Sequence, residues 1–309
     1  MQEVEVVIVN DGSTDNSENL CRDYINQNGL NWKLYTKSNG GLSSARRYGW
    51  ERSNGDYIVF VDSDDDLHPD YCRLMYEAMK DTDSQLAICG YNLCNGASTS
   101  EYKLDYDTTT VENVLTNYSK RIIFNTADGE RLPGFLWMRM MKRNLISMEC
   151  FIDENKMFAE DQVFDLTYSR QVKRIAVVSK PLYNYYINPG SLTLKYRANM
   201  LDMMYNLSSY YYEFLMSNDL LDNDSCISIE KLKVDGIISA LINSIRFANI
   251  KVTKALMGQI RTETKHIEPF EYLKSCSCLT SHQRVWWFFI KNNVITIPYV
   301  YYKLRCHLK

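Results

Sequence analysis

No run of about twenty apolar residues occurs in this 309-residue chain, so no segment reads as a membrane-spanning helix. A leader-like N-terminus, basic and then apolar, is lacking as well. The nine cysteines include no C-x-x-C pair, the nearest spacing being Cys276 and Cys278. That excludes the common zinc and dithiol motifs and fits reduced thiols, so a cytoplasmic protein is expected. Basic excess is missing too: 35 Lys and Arg face 38 Asp and Glu, for a net charge of −3. Nucleic acid is therefore not an expected partner. No internal repeat or low-complexity tract appears. What the chain has in abundance is tyrosine, at 23 residues, a side chain suited to sugar stacking but equally to cores and membrane borders.

Val4–Val9 reads as a buried strand, followed by the turn and cap residues Asn10-Asp11-Gly12-Ser13-Thr14-Asp15-Asn16-Ser17. Leu20, Cys21, Tyr24 and Ile25 then keep helical spacing up to Gly29. A second strand at Trp32–Tyr35, a short helix through Ser43–Arg52 and a third strand at Tyr57–Val61 follow. After Pro69, a helix carries Tyr71, Leu74, Met75 and Met79 on one face, and Leu86–Tyr91 is a fourth strand. This alternation predicts an α/β fold with a doubly wound, mostly parallel sheet. Residues 95–130 read as a polar, irregular excursion. From residue 198 the pattern turns helical, so the expected division is a catalytic domain over 1–197 and an α-helical region over 198–309.

The third strand delivers Asp62-Ser63-Asp64-Asp65 at its C-terminal end, where α/β sheets bind ligands. Crowded carboxylates repel one another, and a bound cation relieves that repulsion. A calcium loop is excluded, because its required Gly and Glu positions hold Leu67 and Arg73. Taken alone, the cluster reads as well as a run of helix caps ahead of His68-Pro69.

Three blocks, Val7–Ser17, Asn39-Gly40-Gly41-Leu42-Ser43-Ser44-Ala45-Arg46 and Gly55–Asp65, occur in an order and spacing that resembles family 2 glycosyltransferases. These are inverting enzymes of the GT-A fold that build bacterial polysaccharides such as capsule, exopolysaccharide and O-antigen. The resemblance implies transfer of a hexose or N-acetylhexosamine from a UDP-sugar to a glycan or lipid-linked acceptor. It implies that Asp11 contacts the nucleotide, with Arg46, Asp62 and Ser63 also on the nucleotide-sugar. Asp64, with Asp62, would hold Mn²⁺ or Mg²⁺ against the diphosphate. Phe158-Ala159-Glu160-Asp161 resembles the family's Glu-Asp motif, which makes Asp161 the general base with Glu160 beside it. Gly134-Phe135-Leu136-Trp137 is placed like the acceptor-side tryptophan. Tyr183-Asn184-Tyr185-Tyr186 with Ser191-Leu192-Thr193 resembles the block that closes the catalytic domain.

The chain departs from this pattern in three ways. It starts at what would be the family's second strand, without the usual first strand and helix. Arg47 stands where Asn is usual, and Met138-Arg139 replace a polar-Lys pair. A non-catalytic, glycosyltransferase-like subunit is the alternative that the first departure keeps open. A sugar-1-phosphate nucleotidyltransferase is disfavoured because its Gly-rich, basic N-terminal loop is absent. Finally, Trp286–Ile290 and Pro298–Tyr302 interleave with Arg284, Lys291, Lys303, Arg305 and Lys309, with no acid among them. Two readings fit: peripheral contact with the inner face of an anionic membrane, or an aromatic helix docked on the core.

Overall fold

The computed structural model describes residues 4–104, 110–111, 114–124, 132–188 and 196–307. The chain divides into two compact units, Met1–Glu154 with Ala159–Asn188, and Asn155–Phe158 with Pro189–Lys309.

In the first unit β1 (Val7–Asn10), α1 (Ser17–Gln27), β2 (Lys33–Thr36), α2 (Leu42–Arg52) and β3 (Tyr57–Val59) follow one another. β1 and β2 pair in parallel as a separate two-stranded sheet. β3 is shorter than its apolar run, because Val61 is already exposed as the chain turns into the aspartates. Then come β4 (Asp66–Leu67), α3 (Tyr71–Asp81), β5 (Leu86–Asn95), β6 (Ser98–Tyr102), β7 (Thr110–Val111), α4 (Val114–Ile123), β8 (Arg139–Lys142), α5 (Glu160–Ser169) and β9 (Ile175–Tyr186). Residues 95–130 were expected to be irregular, yet β6, β7 and α4 lie among them. α4 buries Tyr118, Ile122 and Ile123, a one-turn repeat too brief to stand out from its polar neighbours.

A seven-stranded sheet has the order β3-β8-β5-β9-β4, with β6 added to β5 and β7 to β9. The expected parallel character is realised in the β1–β2 and β5–β9 ladders. The other ladders, β3–β8, β5–β8, β4–β9, β5–β6 and β7–β9, are antiparallel. The sheet is therefore mixed. The strand that reverses its centre, β8, is Arg-Met-Met-Lys, which has neither β-branched residues nor alternation to announce it. The core holds Leu86 and Ile88 of β5, against which α3 packs with Met75 and Met79 buried, while Phe164 of α5 meets Phe60 and Phe151 and Tyr168 donates to the Gln85 carbonyl at 2.7 Å.

The second unit is helical: α6 (Met200–Ser217), α7 (Asn223–Phe247), α8 (Ile250–Thr262), α9 (Thr264–Ser275), α10 (Ser281–Lys291) and α11 (Thr296–His307). Asp222 caps α7 by accepting the Ser225 N–H at 2.7 Å, and Thr280 with Gln283 forms a capping box on α10. Its core gathers Val234, Leu241 and Ile245 of α7 with Ile260, Phe270 and Trp286. The segment Asn155–Phe158 belongs here: Asn199 and Asn206 donate to the carbonyls of Asn155 and Lys156 at 2.7 and 2.8 Å. No helix among the described residues is long and apolar enough to cross a membrane.

Candidate active site

The site is built around Arg46. Helix α2 begins at Gly41, whose φ of 87° is open to glycine but strained for other residues. One turn later the helix buries Arg46, which is 8% exposed. One arm of its guanidinium donates to Asp161 at the start of α5, and the other donates to Oδ1 of Asp62 at 3.0 Å. Residues far apart in sequence thus meet on a single cation. Burial works against the Arg46 charge, but Asp161, Asp62 and Glu160 outweigh it and raise its pKa. Its Nε is buried and has no hydrogen-bond partner among the described residues. Burial raises the Asp62 carboxyl despite Arg46, and burial followed by the charge of Asp161 raises Glu160. The second oxygen of Asp161 accepts the Leu136 N–H at 3.3 Å. Ala159, just ahead, sits in the left-handed region at φ 57°.

The aspartate turn separates by partner. Asp65 accepts from the Tyr183 hydroxyl at 2.8 Å and the Tyr186 N–H at 2.9 Å. Asp66 accepts from Asn184 at 2.5 Å and from the Tyr186 hydroxyl at 2.9 Å. Both therefore fasten the turn to β9. The Tyr183 hydroxyl also accepts the Asp62 N–H at 3.2 Å, fixing the first residue of the turn. Asp64 and Ser63 are exposed, and the Asp64 carboxylate makes no hydrogen bond or ion pair among the described residues. Ser191-Leu192-Thr193 lies outside the described residues.

Asp11 is engaged by the chain itself. Its carboxylate accepts from Lys37 and from the N–H groups of Gly40 and Gly41, the latter at 2.7 Å. Burial opposes the charge, but Lys37 and these two N–H groups hold the pKa below the usual carboxylate value. The Asn39 amide donates to the Asp11 carbonyl at 2.9 Å, so Asp11 shapes the loop that starts α2. Glu154 completes that start by accepting the Ser43 N–H at 2.7 Å. Neither Lys37 nor Glu154 stood out in the sequence, since single charged residues in loops carry no periodic signal.

Trp137 requires a correction. It is 2% exposed, with its ring stacked on Tyr183 at 4.2 Å and on Phe135 at 4.8 Å, so its face is not open to a sugar. Phe135, 39% exposed, is the outer ring of this stack and is joined directly to Leu136, which touches Asp161. Arg139 likewise faces inward. Fully buried, it pairs with Asp165 at 2.7 Å, donates to the Tyr118 hydroxyl at 3.0 Å, and binds the carbonyls of Pro133 and Phe135. This network pins the segment that carries Phe135 and Leu136. Its signal in the sequence was an unusual residue after the tryptophan, Arg139, whose buried partners come from α4 and α5.

Residues 1–146 match the sequence model of glycosyl transferase family 2. Over that stretch the chain is similar to this family. EpsH of Bacillus subtilis (strain 168), which carries the name of a glycosyltransferase, is 24% identical over 320 residues, covering 99% of this chain and 90% of EpsH. Glycosyltransferase GlyA of Streptococcus pneumoniae serotype 4 is 26% identical over 266 residues, 83% of this chain but 37% of GlyA. Among solved structures, S. aureus TarS 1-349 in complex with UDP has a TM-score of 0.60 at 19% identity, over 93% of this chain and 78% of that fragment. The same TarS fragment with UDP-GlcNAc gives 0.54, over 86% and 80%. At these identities the likeness shows the fold, which is of the GT-A type. It is a mixed α/β unit carrying the site, with a helical C-terminal part.

The donor set suits a hard divalent cation of a particular kind. Among the described residues, no three His, Cys, Asp or Glu side chains form a cage made by protein alone. Asp64 and the second oxygen of Asp62 are instead two carboxylate donors on one turn, with Asp65 and Asp66 already committed to β9. Mg²⁺-like ions are commonly held this way, by one or two carboxylates plus substrate phosphates.

Proposed function

We propose that this glycosyltransferase moves a hexose or N-acetylhexosamine from a UDP-sugar to a hydroxyl of a glycan or lipid-linked acceptor, inverting the anomeric centre, in the assembly of a bacterial polysaccharide. The observation that carries the reading is the convergence of Asp62 and Asp161 on the buried Arg46. An inverting displacement needs a base on one side of the sugar and a grip on the diphosphate on the other. Asp161 and the aspartate turn, linked but separate, meet that need.

In this reading Asp161 takes the proton of the acceptor hydroxyl as its oxygen bonds to the anomeric carbon. The bond from that carbon to the diphosphate oxygen breaks, and UDP departs. Proton removal of this kind is worth roughly 10²–10⁴-fold in rate. Arg46 aims one oxygen of Asp161, while the Leu136 N–H fixes the other. Glu160, with its raised pKa, sits beside the base as a neutral or charged neighbour according to pH. Asp11 supports the nucleotide through the Gly40-Gly41 loop that it shapes, and Ser63 lies on the donor side of the turn. Asp64 with Asp62 would hold Mn²⁺ or Mg²⁺. When bound, such an ion supplies Lewis-acid stabilisation of the departing diphosphate. Phe135, resting on Trp137, offers the apolar ring on which an acceptor sugar stacks.

The test is UDP release from a panel of UDP-sugars, with acceptor and with or without Mn²⁺. Asp161→Asn should lower turnover by at least ~10²-fold while UDP still binds. Retained turnover rejects the base assignment. Asp64→Ala should abolish the Mn²⁺-dependent part of UDP binding, and an unchanged titration rejects the metal role.

A further inference from the structure

Helix α11 is apolar on the side that faces away from its own core. Ile297, Val300, Tyr301 and Leu304 are 61%, 50%, 55% and 60% exposed. Their spacing of i, i+3, i+4 and i+7 makes them one continuous stripe. The opposite side is accounted for: Tyr299 and Tyr302 pack against the helical core, and Tyr302 lies 6.2 Å from Trp286 of α10. α10 repeats the arrangement, with Trp286, Trp287 and Ile290 inward and Val285 and Phe288 exposed at 53% and 59%. The inward side of both helices is docked on the core, and the outward side is left apolar and exposed.

Charge decides what the outer side fits. From Tyr272 to the last residue there is no Asp or Glu, while Lys274, Arg284, Lys291, Lys303, Arg305 and Lys309 are all basic. A second copy of the chain would set two such acid-free surfaces against each other, and like charges repel across an interface. Twelve residues of helix rise only about 18 Å, short of the roughly 30 Å of a bilayer's hydrocarbon, so α11 is built to lie on lipid and not to cross it.

From this we infer that the outer face of α10 and α11 seats on an anionic lipid surface, its apolar stripe among the acyl chains and its basic residues at the headgroups. The inference is separate from the sugar chemistry, since it draws on no residue of the candidate site.

The experiment is co-sedimentation of the full chain with phosphatidylglycerol vesicles and with phosphatidylcholine vesicles, at low and high salt. The chain should bind phosphatidylglycerol, weaken with salt, and bind phosphatidylcholine about tenfold less or not at all. Ile297→Asp with Leu304→Asp should reduce binding about tenfold or more, as should Arg284→Glu with Lys291→Glu. Ile297, Leu304 and Lys291 are exposed, Arg284 donates to the Leu279 carbonyl at 3.1 Å, and circular dichroism melts verify that each variant remains folded. Val252→Asp, at an exposed position on α8, should leave binding unchanged. Absence of wild-type binding overturns the inference, and so does equal loss in the Val252 variant. So does a wild type that elutes as a dimer and becomes a lipid-indifferent monomer when the stripe is charged. UDP release measured without vesicles should be the same for stripe variants and wild type, so failure of the catalytic reading shows up independently.

Discussion

Arg46 carries a buried positive charge whose two partners are both acids, and the three side chains are balanced only as a set. Arg46→Met would leave Asp62 and Asp161 facing each other without their cation. The expected cost at neutral pH is about 3–5 kcal/mol, read from urea denaturation. Loss of the guanidinium removes what opposes burial at Asp62, so that carboxyl's folded-state pKa, already raised, rises further above its unfolded value. An acid raised on folding binds more protons in the native state, so stability falls as pH rises from the usual carboxylate value through the raised one. The deficit of Arg46→Met should therefore shrink as the denaturation is repeated toward pH ~4.5. In the native chain Asp62, Asp65 and Glu160 are raised by burial in the same sense, so each weakens the fold on the alkaline side of its window. Arg46→Lys keeps the charge but not the two-armed fork, and should fall between native and Met.

At the level of elements, the start of α2 and the start of α5 carry the candidate site, and each depends on an uncommon backbone conformation. A Cβ on Gly41 would run into the Glu154 carboxylate and would also be strained at its positive φ. Gly41→Ala should cost at least ~1 kcal/mol and weaken UDP affinity, as seen by thermal melts and titration. Ala159 is the converse case: Ala159→Gly relieves a left-handed residue and should stabilise the fold by up to ~1 kcal/mol. The main helices and the first strands were legible because Met75 and Met79, or Val7 and Val9, repeat at helix or strand period. Arg46, Asp62 and Asp161 were legible as residues through their motifs, but not the ion pairs that join them, because a salt bridge leaves no periodic trace. Asp65 and Asp66 looked no different from Asp64 in sequence. Their partners, Tyr183, Asn184 and Tyr186, arrive from over a hundred residues away. Trp137 failed as an exposed platform for a similar reason, since what covers it comes mainly from β9.

For the whole molecule, the chain divides into two compact units, and the candidate site residues all lie in the first. UDP with Mn²⁺ at about a hundredfold over its dissociation constant should stabilise the first unit by ~2.7 kcal/mol. Calorimetry should then show an early and a late transition, of which the nucleotide moves only the one belonging to the first unit. A single transition that moves as a block would mean that the units melt together. Tyr183 joins two parts of the first unit: its hydroxyl holds the turn at Asp62 and Asp65, and its ring lies 4.2 Å from the indole of Trp137. A cation drawn to that turn must therefore disturb the surroundings of a fluorophore, which gives the protein a built-in optical gauge. Tyr183→Phe would keep the stack and cut the wire.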